Sequence, residues 1–336
     1  NNILNSLNVN YDPASGVVNA ATTKVEITEA QKKVVSSEAA FIRAYHYFNL
    51  VRLYGGVMLI HEPVDPFEAT KLNRATTDEI YKLIIADLTY AAANGTTLKY
   101  ASIPTADLGK SNAWTAKALL AKVYLTLNRK TDAIPLLNDI IANSGYGLVS
   151  SYADVFSITN EMNKEVMFAI RYKAGGISQG SPFPNLFAPE LSGVAIINGD
   201  GSSQNAPCAE LNSAYNVLDN RNAASIGVYG KALNNLYPKK MISQVSLKGD
   251  AENDWIVIRY ADILLMLAEA QGNTPASLAL INQTRARAGL AALTASTVTT
   301  TAIFEKELAN ERRLEFTFEN MRWFDLLRYN KTMPSL

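Results

Sequence analysis

The stretch NERRLEFTFENMRWFDLLRY, from Asn310 to Tyr329, combines eight charged side chains with five aromatic ones. Charge at this density is typical of a solvated surface, whereas aromatic residues at this density are typical of a buried core. Arginine can satisfy both demands, because its methylene stem packs against rings while its guanidinium pairs with carboxylates on neighbouring helices. We therefore predict that the stretch holds helices together and that a ligand does not bind there.

Nine residues of the stretch are assigned to this structural role. They are Glu311, Arg312, Arg313, Glu315, Phe316, Phe318, Arg322, Trp323 and Phe324. Arg312, Arg313 and Arg322 are expected to bridge carboxylates of neighbouring helices in a bidentate manner. Trp323 is expected to lie in the core, where its replacement by alanine would cost roughly 3–5 kcal/mol of stability.

Glu311 and Glu315, four residues apart, share one face of a predicted helix. Two carboxylates could act as acid and base in glycoside hydrolysis. Arg312 and Arg313 alternate with them, however, and arginine neighbours favour the ionised carboxylate, whereas a general acid needs a raised pKa. The pair is interpreted as structural. The sequence also contains no HExxH, P-loop or GxGxxG motif, so we predict that the protein is not an enzyme and needs no cofactor.

The overall composition favours a globular protein without a polyanionic partner. The chain has 336 residues, of which 48% are hydrophobic, enough for one large domain or two packed ones. Its 31 basic and 31 acidic residues cancel, so no charge excess attracts nucleic acid. No apolar run approaches the roughly 20 residues of a membrane-spanning helix.

Metal binding and disulfide formation have little support in the sequence. Cys208 is the single cysteine, which excludes an internal disulfide, and the two histidines are too few for a histidine-based metal site. NGDGSS, Asn198–Ser203, places oxygen-bearing side chains at alternate positions, as a calcium loop does. The twelfth position of that loop is Ala209 instead of a glutamate. A plain turn is therefore the better interpretation, and no metal site is predicted.

Helical signals dominate both ends of the chain. Thr28 with Gln31 and Thr76 with Glu79 fit capping boxes, which predict helices reaching about Tyr54 and Asn94. Short links between the helices that follow force antiparallel neighbours, which favours an all-α architecture of repeated helix pairs. These further helices are predicted at about 112–127, 132–142, 255–271 and 276–288.

The middle of the chain differs from the ends. EVMFAIRY, Glu165–Tyr172, alternates like a strand. Glycine, serine, asparagine and proline then dominate from Lys173 to about Asn222. A stretch of this kind inside a compact protein is usually a functional loop region.

Six sequence blocks, in order, resemble the SusD/RagB family. The opening stretch is similar to the C-terminal signature of that family, and SEAAFIRAYHYFNLVRLYGGVMLI (37–60) resembles its first helix with a Tyr-Gly-Gly exit. Four further blocks agree: AWTAKALLAKVYLTL (113–127), NKEVMFAIRY (163–172), IRYADILLMLAEA (258–270) and INQTRARAGL (281–290). The resemblance therefore spans most of the chain.

The resemblance implies an all-α fold built on tetratricopeptide-like helix pairs, with loop elaborations. It also implies a lipid-anchored protein on the extracellular face of a Gram-negative outer membrane, which delivers a glycan or a peptide nutrient to a SusC-like TonB-dependent transporter. The lipidated cysteine of the family has no counterpart here, since Cys208 lies mid-chain. Because the chain starts at Asn1, we expect a mature or trimmed form that lacks signal and anchor.

We predict one domain, 1–336, in three parts: a helical-repeat part (28–145), a loop-rich insertion with short strands (146–254) and a C-terminal helical part with the signature (255–330). Aromatic side chains that local folding does not explain suit the apolar faces of sugars, and amides suit their hydroxyls. The predicted ligand-binding residues are Phe67, Asn73, Gln179, Phe183, Asn185, Phe187 and Tyr215. A helical-repeat scaffold that binds only proteins is the alternative, and an α-helical-barrel glycosidase is more distant.

Overall fold

The computed structural model describes residues 1–23, 25–230 and 235–332, with side chains described as far as residue 330. α-Helices dominate these residues, which confirms the all-α prediction. The chain divides into two compact units that meet at Gly145 and Tyr146. The predicted insertion includes residues 231–234, which lie outside the described ones. Within the described ranges, no helix has both the length and the apolar character needed to cross a membrane.

The first unit is a set of helices with one small hairpin. Thr28 and Thr76 cap their helices as predicted, since each hydroxyl accepts a hydrogen bond from the backbone N–H three residues on. The helix pair α5–α6 is also present, joined by residues 127–129. The elements are α1 (Asn2–Ser6), β1 (Val9–Asp12), β2 (Val17–Ala20), α2 (Glu29–Tyr54), α3 (Pro66–Ala69), α4 (Thr77–Asn94), α5 (Ala113–Thr126) and α6 (Lys130–Asn143).

α2 and α4 form the core of the first unit. Phe41 and Phe48 are fully buried on α2, and Leu83 is fully buried on α4. Between the two helices, the guanidinium of Arg43 donates to both carboxylate oxygens of Asp87 at 2.8 and 2.7 Å. Both partners are buried, so the pair fixes how these two helices pack.

The second unit combines helices with two two-stranded sheets, β3–β6 and β4–β5. β3 confirms the predicted strand, and α10 with α11 forms the second predicted helix pair. The loop-rich middle contains only short helices. The elements are β3 (Val166–Ile170), α7 (Phe183–Phe187), α8 (Ala209–Ala214), α9 (Asn220–Ser225), β4 (Ile226–Val228), β5 (Leu236–Pro238), β6 (Trp255–Arg259), α10 (Tyr260–Gln271), α11 (Pro275–Arg287), α12 (Thr301–Glu315) and α13 (Arg322–Thr332).

The prediction that a helix begins at Trp255 is wrong by five residues. Trp255–Arg259 is strand β6, antiparallel to β3 with Trp255 opposite Ile170 and Arg259 opposite Val166. Three consecutive β-branched residues, 256–258, favour the extended chain, and β3 supplies a partner for it. The helix starts only at Tyr260. The strand carries Trp255 at one end and Arg259 at the other, and both matter below.

Candidate functional site

The opening stretch is interrupted by a tight turn. α12 ends at Glu315 and α13 begins at Arg322. Between them, Phe318 and Asn320 have φ angles of +67° and +58°, a left-handed conformation that is uncommon for a bulky side chain. The hydroxyl of Thr317 braces the turn, because it donates to the carbonyl of Arg313 at 2.8 Å. α13 therefore starts in a new register.

Behind this turn lies a group of buried charges, here named the central ion cluster. Arg259 is its fully buried centre. Its guanidinium donates to Glu319 at 2.7 Å, to Glu165 at 2.9 Å and to the carboxylate of Glu315 at 2.6 Å. The members of the cluster are Glu165, Asp219, Arg221, Lys240, Arg259, Arg287, Glu311, Glu315 and Glu319.

The other members of the central ion cluster are paired in the same way. Arg221 contacts Asp219 at 2.8 Å, Glu311 at 2.7 Å and Glu315 at 2.9 Å. Lys240 contacts a carboxylate oxygen at 2.7 Å. Glu311 and Glu315 thus share a helix face, as predicted, but the arginines that contact them come from distant elements and not from positions 312 and 313.

A second group, the C-terminal ion cluster, ties α13 to α10 and α12. It consists of Asp262, Glu269, Arg312, Asp325 and Arg328. The guanidinium of Arg312 contacts Asp262 at 2.7 Å and Asp325 at 3.0 Å. The prediction that Arg312 bridges carboxylates of neighbouring helices is confirmed.

Phe316 explains how charged and aromatic residues coexist in the stretch. Its ring centroid lies 4.5 Å from the guanidinium carbon of Arg259 and 5.0 Å from that of Arg312. Each distance is within the range of a cation–π contact. The buried ring thus lies between one arginine of each ion cluster.

Glu315 is the carboxylate most affected by this environment. Burial alone would raise its pKa, but the guanidiniums of Arg287, Arg259 and Arg221 outweigh burial and hold the pKa well below its usual range. An ionised Glu315 therefore stabilises the fold above the pKa of the unfolded chain. That stabilisation is lost as the pH falls below about 4.5, the ordinary value.

Glu315→Gln is expected to lower the free energy of unfolding at pH 7 by roughly 1–2 kcal/mol, since the neutral amide forms weaker hydrogen bonds with the arginines. Because glutamine does not titrate, the gap between wild type and variant should narrow from pH 5 to pH 3. Urea unfolding at several pH values measures it. Exposed Glu190→Gln is the matched control. If the difference in unfolding free energy between wild type and Glu315→Gln stays constant down to pH 3, Glu315 does not carry this pH dependence.

The prediction that Trp323 lies in the core is wrong, since its side chain is 59% exposed. The buried side of α13 carries Asp325, Arg328 and Tyr329. Trp323 lies on the opposite side of the helix, because the turn resets the register of α13. Phe318 and Phe324 are half-buried.

The prediction for the two remaining arginines holds for only one of them. Arg313 contacts Glu210 on α8 at 3.3 Å, which confirms a bridge between helices, but the contact is a single one and not bidentate, and this carboxylate is 81% exposed. Arg322 is exposed and forms no ion pair within the described part of the chain. The predicted bridge by Arg322 is therefore wrong, because Asp325, the acidic residue nearest to it on α13, is taken by Arg312 and Arg328.

A cleft of about 770 Å³ opens beside the turn, here named the α12–α13 cleft. Trp323 lines it together with residues of α8, β6 and the segment before α8. The lining residues are Phe187, Gln204, Asn205, Ala206, Pro207, Cys208, Glu210, Leu211, Trp255, Arg313, Phe316, Thr317, Phe318, Asn320, Met321, Arg322 and Trp323. The cleft is of the size that ligand pockets of proteins have, roughly 300–1,000 Å³.

One wall of the α12–α13 cleft belongs to a group of packed aromatic rings. Trp255 and Phe187 line the cleft. Phe183 packs against both, with centroid distances of 4.6 Å to Trp255 and 5.6 Å to Phe187, and Tyr172 packs edge-on against Phe183 at 5.9 Å. Two residues predicted to bind a ligand are thus brought together, Phe187 at the surface of the cleft and Phe183 as its support.

Polar groups surround these rings. Gln204, Asn205 and Asn320 are exposed lining residues. Glu210 is the one carboxylate among the described residues that line the cleft. Flat aromatic surfaces flanked by amides and guanidiniums suit a sugar, whose ring has an apolar C–H face and polar hydroxyl edges.

Two predicted ligand-binding residues are engaged inside the second unit. The amide of Asn185 donates to the carbonyls of Asn198 and Asp200 at 2.9 and 2.8 Å, and its oxygen accepts from the N–H of Gly249 at 2.8 Å. The hydroxyl of buried Tyr215 bonds to the α12 terminus. Both side chains hold loops in place, and contact with a ligand stays a prediction for them.

The three other predicted residues lie at exposed positions. Gln179 is exposed and its backbone pairs with Lys173. In the first unit, Phe67 is 68% exposed, with the ammonium of Lys71 4.4 Å from its ring centroid, and Asn73 is exposed. None of the three lines the α12–α13 cleft, and ligand contact stays a prediction for each.

The segment NGDGSS folds as a turn around Asp200. Its carboxylate accepts backbone N–H groups of Leu191, Gly193 and Gly201 at 3.2, 3.1 and 2.8 Å. These hydrogen bonds, above all that from Gly193, lower the pKa of Asp200. The carboxylate therefore closes the loop on itself.

Residues 176–180, GISQG, carry the letters of the G-x-S-x-G motif of hydrolases. That motif functions on a sharp turn between a strand and a helix, with a histidine as base. Ser178 instead lies exposed in a loop, five residues before the short helix α7. Both histidines of the sequence belong to the first unit, so the second unit contains no histidine that could act as this base.

Sequence reasoning missed Trp255 and Arg322 as residues of the cleft, and it placed Trp323 in the core. The sequence does contain signals for the positions of Trp255 and Trp323. If WIVIR (255–259) is interpreted as a strand, successive side chains point to opposite sides. Trp255 then points away from the side that carries buried Ile256 and Ile258. On α13, the spacing of Asp325, Arg328 and Tyr329 marks the buried face, which excludes position 323.

Comparison with known proteins agrees with this architecture. The sequence model of the SusD family matches residues 171–334, and a second model, described as "Starch-binding associating with outer membrane", matches residues 3–125. The two matches together span most of both units. The chain belongs to the SusD family. The order of the six blocks and the C-terminal signature are thereby explained.

Relatives share this likeness over most of the chain. A SusD-like protein of Bacteroides ovatus is 27% identical over 96% of this chain and 64% of its own length. SusD-like protein P25 of Formosa agariphila is 26% identical over 90% of this chain and 65% of its own length. The chain thus spans somewhat less than two thirds of these curated relatives.

Solved structures show the same fold. A laminarin-binding SusD-like protein is 27% identical, with a TM-score of 0.79 over 93% of this chain and 74% of that protein. The surface glycan-binding protein A of Bacteroides uniformis is 23% identical, with a TM-score of 0.80 over 92% of this chain and 69% of that protein. The tetratricopeptide-like all-α fold expected from the resemblance is confirmed.

Proposed function

We propose that this SusD-family chain binds a glycan nutrient in the α12–α13 cleft. The observation that carries the proposal is the pair of tryptophans there. Trp323 is 59% exposed although it lies in the most aromatic stretch of the chain, and Trp255 lies in the same lining. An exposed indole beside a stacked aromatic wall is unfavourable for a surface without a ligand, and favourable for one that stacks on a sugar ring.

Two further points support a glycan as the ligand. The related structure at 27% identity is that of a laminarin-binding protein, and the sequence model for the first unit describes starch binding with outer-membrane association. By extension from the family, the protein would act at the extracellular face of the outer membrane, held by a lipid anchor, and would pass its glycan to a SusC-like TonB-dependent transporter.

The proposed role is binding without turnover. Glycoside hydrolysis ordinarily needs two carboxylates that flank the scissile bond. The described lining of the cleft provides one, Glu210. The buried pair Glu311 and Glu315 is tied to arginines. Incubation with polysaccharides should therefore release no new reducing ends.

Cys208 gives a direct test, because it is the single cysteine, exposed, and part of the cleft lining. A glycan bound in the cleft should slow the alkylation of this thiol by iodoacetamide in proportion to occupancy. The panel consists of laminarin, starch and their oligosaccharides, with peptides and a membrane extract as the rival arms. Glycan binding that leaves the alkylation rate unchanged would place the site elsewhere, and binding of proteins alone would favour a scaffold.

A further inference from the structure

We propose that the glycan accepted by the α12–α13 cleft is acidic, with its carboxylate or sulfate group bound between Arg313 and Arg322. This inference rests on the proposed function and adds the chemical class of the ligand. The reason is that Arg313 and Arg322 differ from the arginines of the two ion clusters in their ion pairing and in their exposure.

The arginines of the two ion clusters are paired with buried carboxylates. The guanidinium of Arg259 donates to three carboxylates, and that of Arg312 to two. Both side chains are buried away from the cleft surface. Because these side chains are buried, the cation that could contact a ligand must come from the cleft lining.

Arg322 differs from the buried arginines in its surroundings. It forms no ion pair in the part of the chain that the structure describes, and it is exposed and lines the cleft. The carboxylate of Asp325, three residues on, accepts hydrogen bonds from Arg312 and Arg328 at 3.0 and 2.9 Å. Because Asp325 is held by these two buried arginines, it attracts Arg322 without forming an ion pair with it.

Arg313 adds a second, weakly held cation. Its only ion pair in the described chain is with Glu210 at 3.3 Å, and that carboxylate is 81% exposed. Such surface pairs contribute little and are easily exchanged. Arg313 and Arg322 both line the cleft, and partial burial together with the positive charge of Arg313 lowers the pKa of Arg322. An anion placed between the two guanidiniums would offset this effect.

The neighbouring rings restrict what that anion can be attached to. Trp323 follows Arg322 directly, and both line the cleft with Trp255. A sugar ring that stacks on an indole presents its ring substituents at the edge of the stack, where a uronate carboxylate or a sulfate ester meets planar guanidiniums. Arginine binds both groups through two parallel hydrogen bonds. A neutral glycan would contact the aromatic rings but would not neutralise the positive charges of the two guanidiniums.

The test uses one polysaccharide in three forms: neutral laminarin, laminarin oxidised at C6 to the glucuronate, and laminarin sulfate. Each is titrated calorimetrically into wild type, Arg322→Gln and a control, Arg129→Gln, whose arginine is exposed in the first unit. We expect an acidic form to bind at least about tenfold tighter than the neutral form at low salt, equivalent to about 1.4 kcal/mol. The two acidic forms separate carboxylate from sulfate as the preferred group.

Arg322→Gln should remove that preference, so that the acidic and neutral forms bind this variant with similar affinities, whereas Arg129→Gln should retain it. Equal affinities of all three forms would overturn the inference while the proposed function stands. A preference that survives in Arg322→Gln would also overturn it. If no form binds or protects Cys208, the proposed function falls and the inference falls with it. Binding of acidic peptides alone would overturn both.

Discussion

Arg259→Met is expected to lower the free energy of unfolding by roughly 3–5 kcal/mol, the cost of removing one partner from a buried ion pair. The side chain of Arg259 is fully buried and donates to Glu165, Glu315 and Glu319 at 2.6–2.9 Å. Methionine fills much of the same volume, so the loss reports on charge more than on packing. Three carboxylates would then share one positive charge fewer without access to water.

Chemical denaturation at pH 7 measures this loss. The control is Arg129→Met, because Arg129 also forms an ion pair but is 46% exposed. The control should lose about 1 kcal/mol or less. A loss of that size in Arg259→Met as well would show that the central ion cluster does not stabilise the second unit.

Trp323→Ala is expected to weaken glycan binding by about 1–3 kcal/mol, by analogy with base stacking on aromatic side chains. The stability of the variant should change little, because the ring is 59% exposed and exposed substitutions usually stay within about 0.5 kcal/mol. This combination reverses the expectation from the sequence, which placed Trp323 in the core. Calorimetric titration gives the affinity, and a thermal melt checks the fold.

Phe67→Ala is the matched control for that titration. Phe67 is an aromatic side chain of comparable exposure, 68%, in the first unit, and the sequence predicted it as a ligand-binding residue. If Phe67→Ala loses affinity while Trp323→Ala does not, the ligand binds where the sequence suggested and the α12–α13 cleft is not the site.

The fold could be predicted from the sequence where local signals and packing agree. The capping boxes at Thr28 and Thr76 and the two helix pairs are examples, since each rests on side chains a few residues apart. The prediction failed at Trp255–Arg259, where the extended conformation depends on the partner strand β3. A strand pairing that connects residues about 90 apart leaves only a weak trace in either segment alone.

The candidate site was harder to predict than the fold, because a turn divides the stretch that contributes to it. The sequence marks the opening stretch as buried and charged, and that interpretation is correct for Arg312, Glu315 and Phe316. The turn at Phe318 and Asn320, with its positive φ angles, divides the stretch into a buried part and a part that lines a cleft. Glycine is the usual signal for a left-handed turn; asparagine is a weaker signal, and phenylalanine gives none.

The stretch from Asn310 to Tyr329 contributes both to the buried ion clusters and to the lining of the cleft. The central ion cluster gathers side chains from β3, β6, α9, α11 and α12 and the segments beside them. Because each guanidinium must find its particular carboxylates, the cluster accepts few alternative packings. We infer that it fixes the end of α12, and with it the position of the turn that presents Trp323 and Arg322 to the cleft.

Fluorine NMR of protein labelled with 5-fluorotryptophan tests the central claim most directly, because the chain has three tryptophans. Trp255 and Trp323 line the cleft, whereas Trp114 is buried in the first unit and its indole N–H donates to the carbonyl of Leu98 at 2.9 Å. On titration with a glycan that the protein binds, the resonances of Trp255 and Trp323 should shift while that of Trp114 stays in place. Saturated binding with both cleft resonances unmoved would contradict the account.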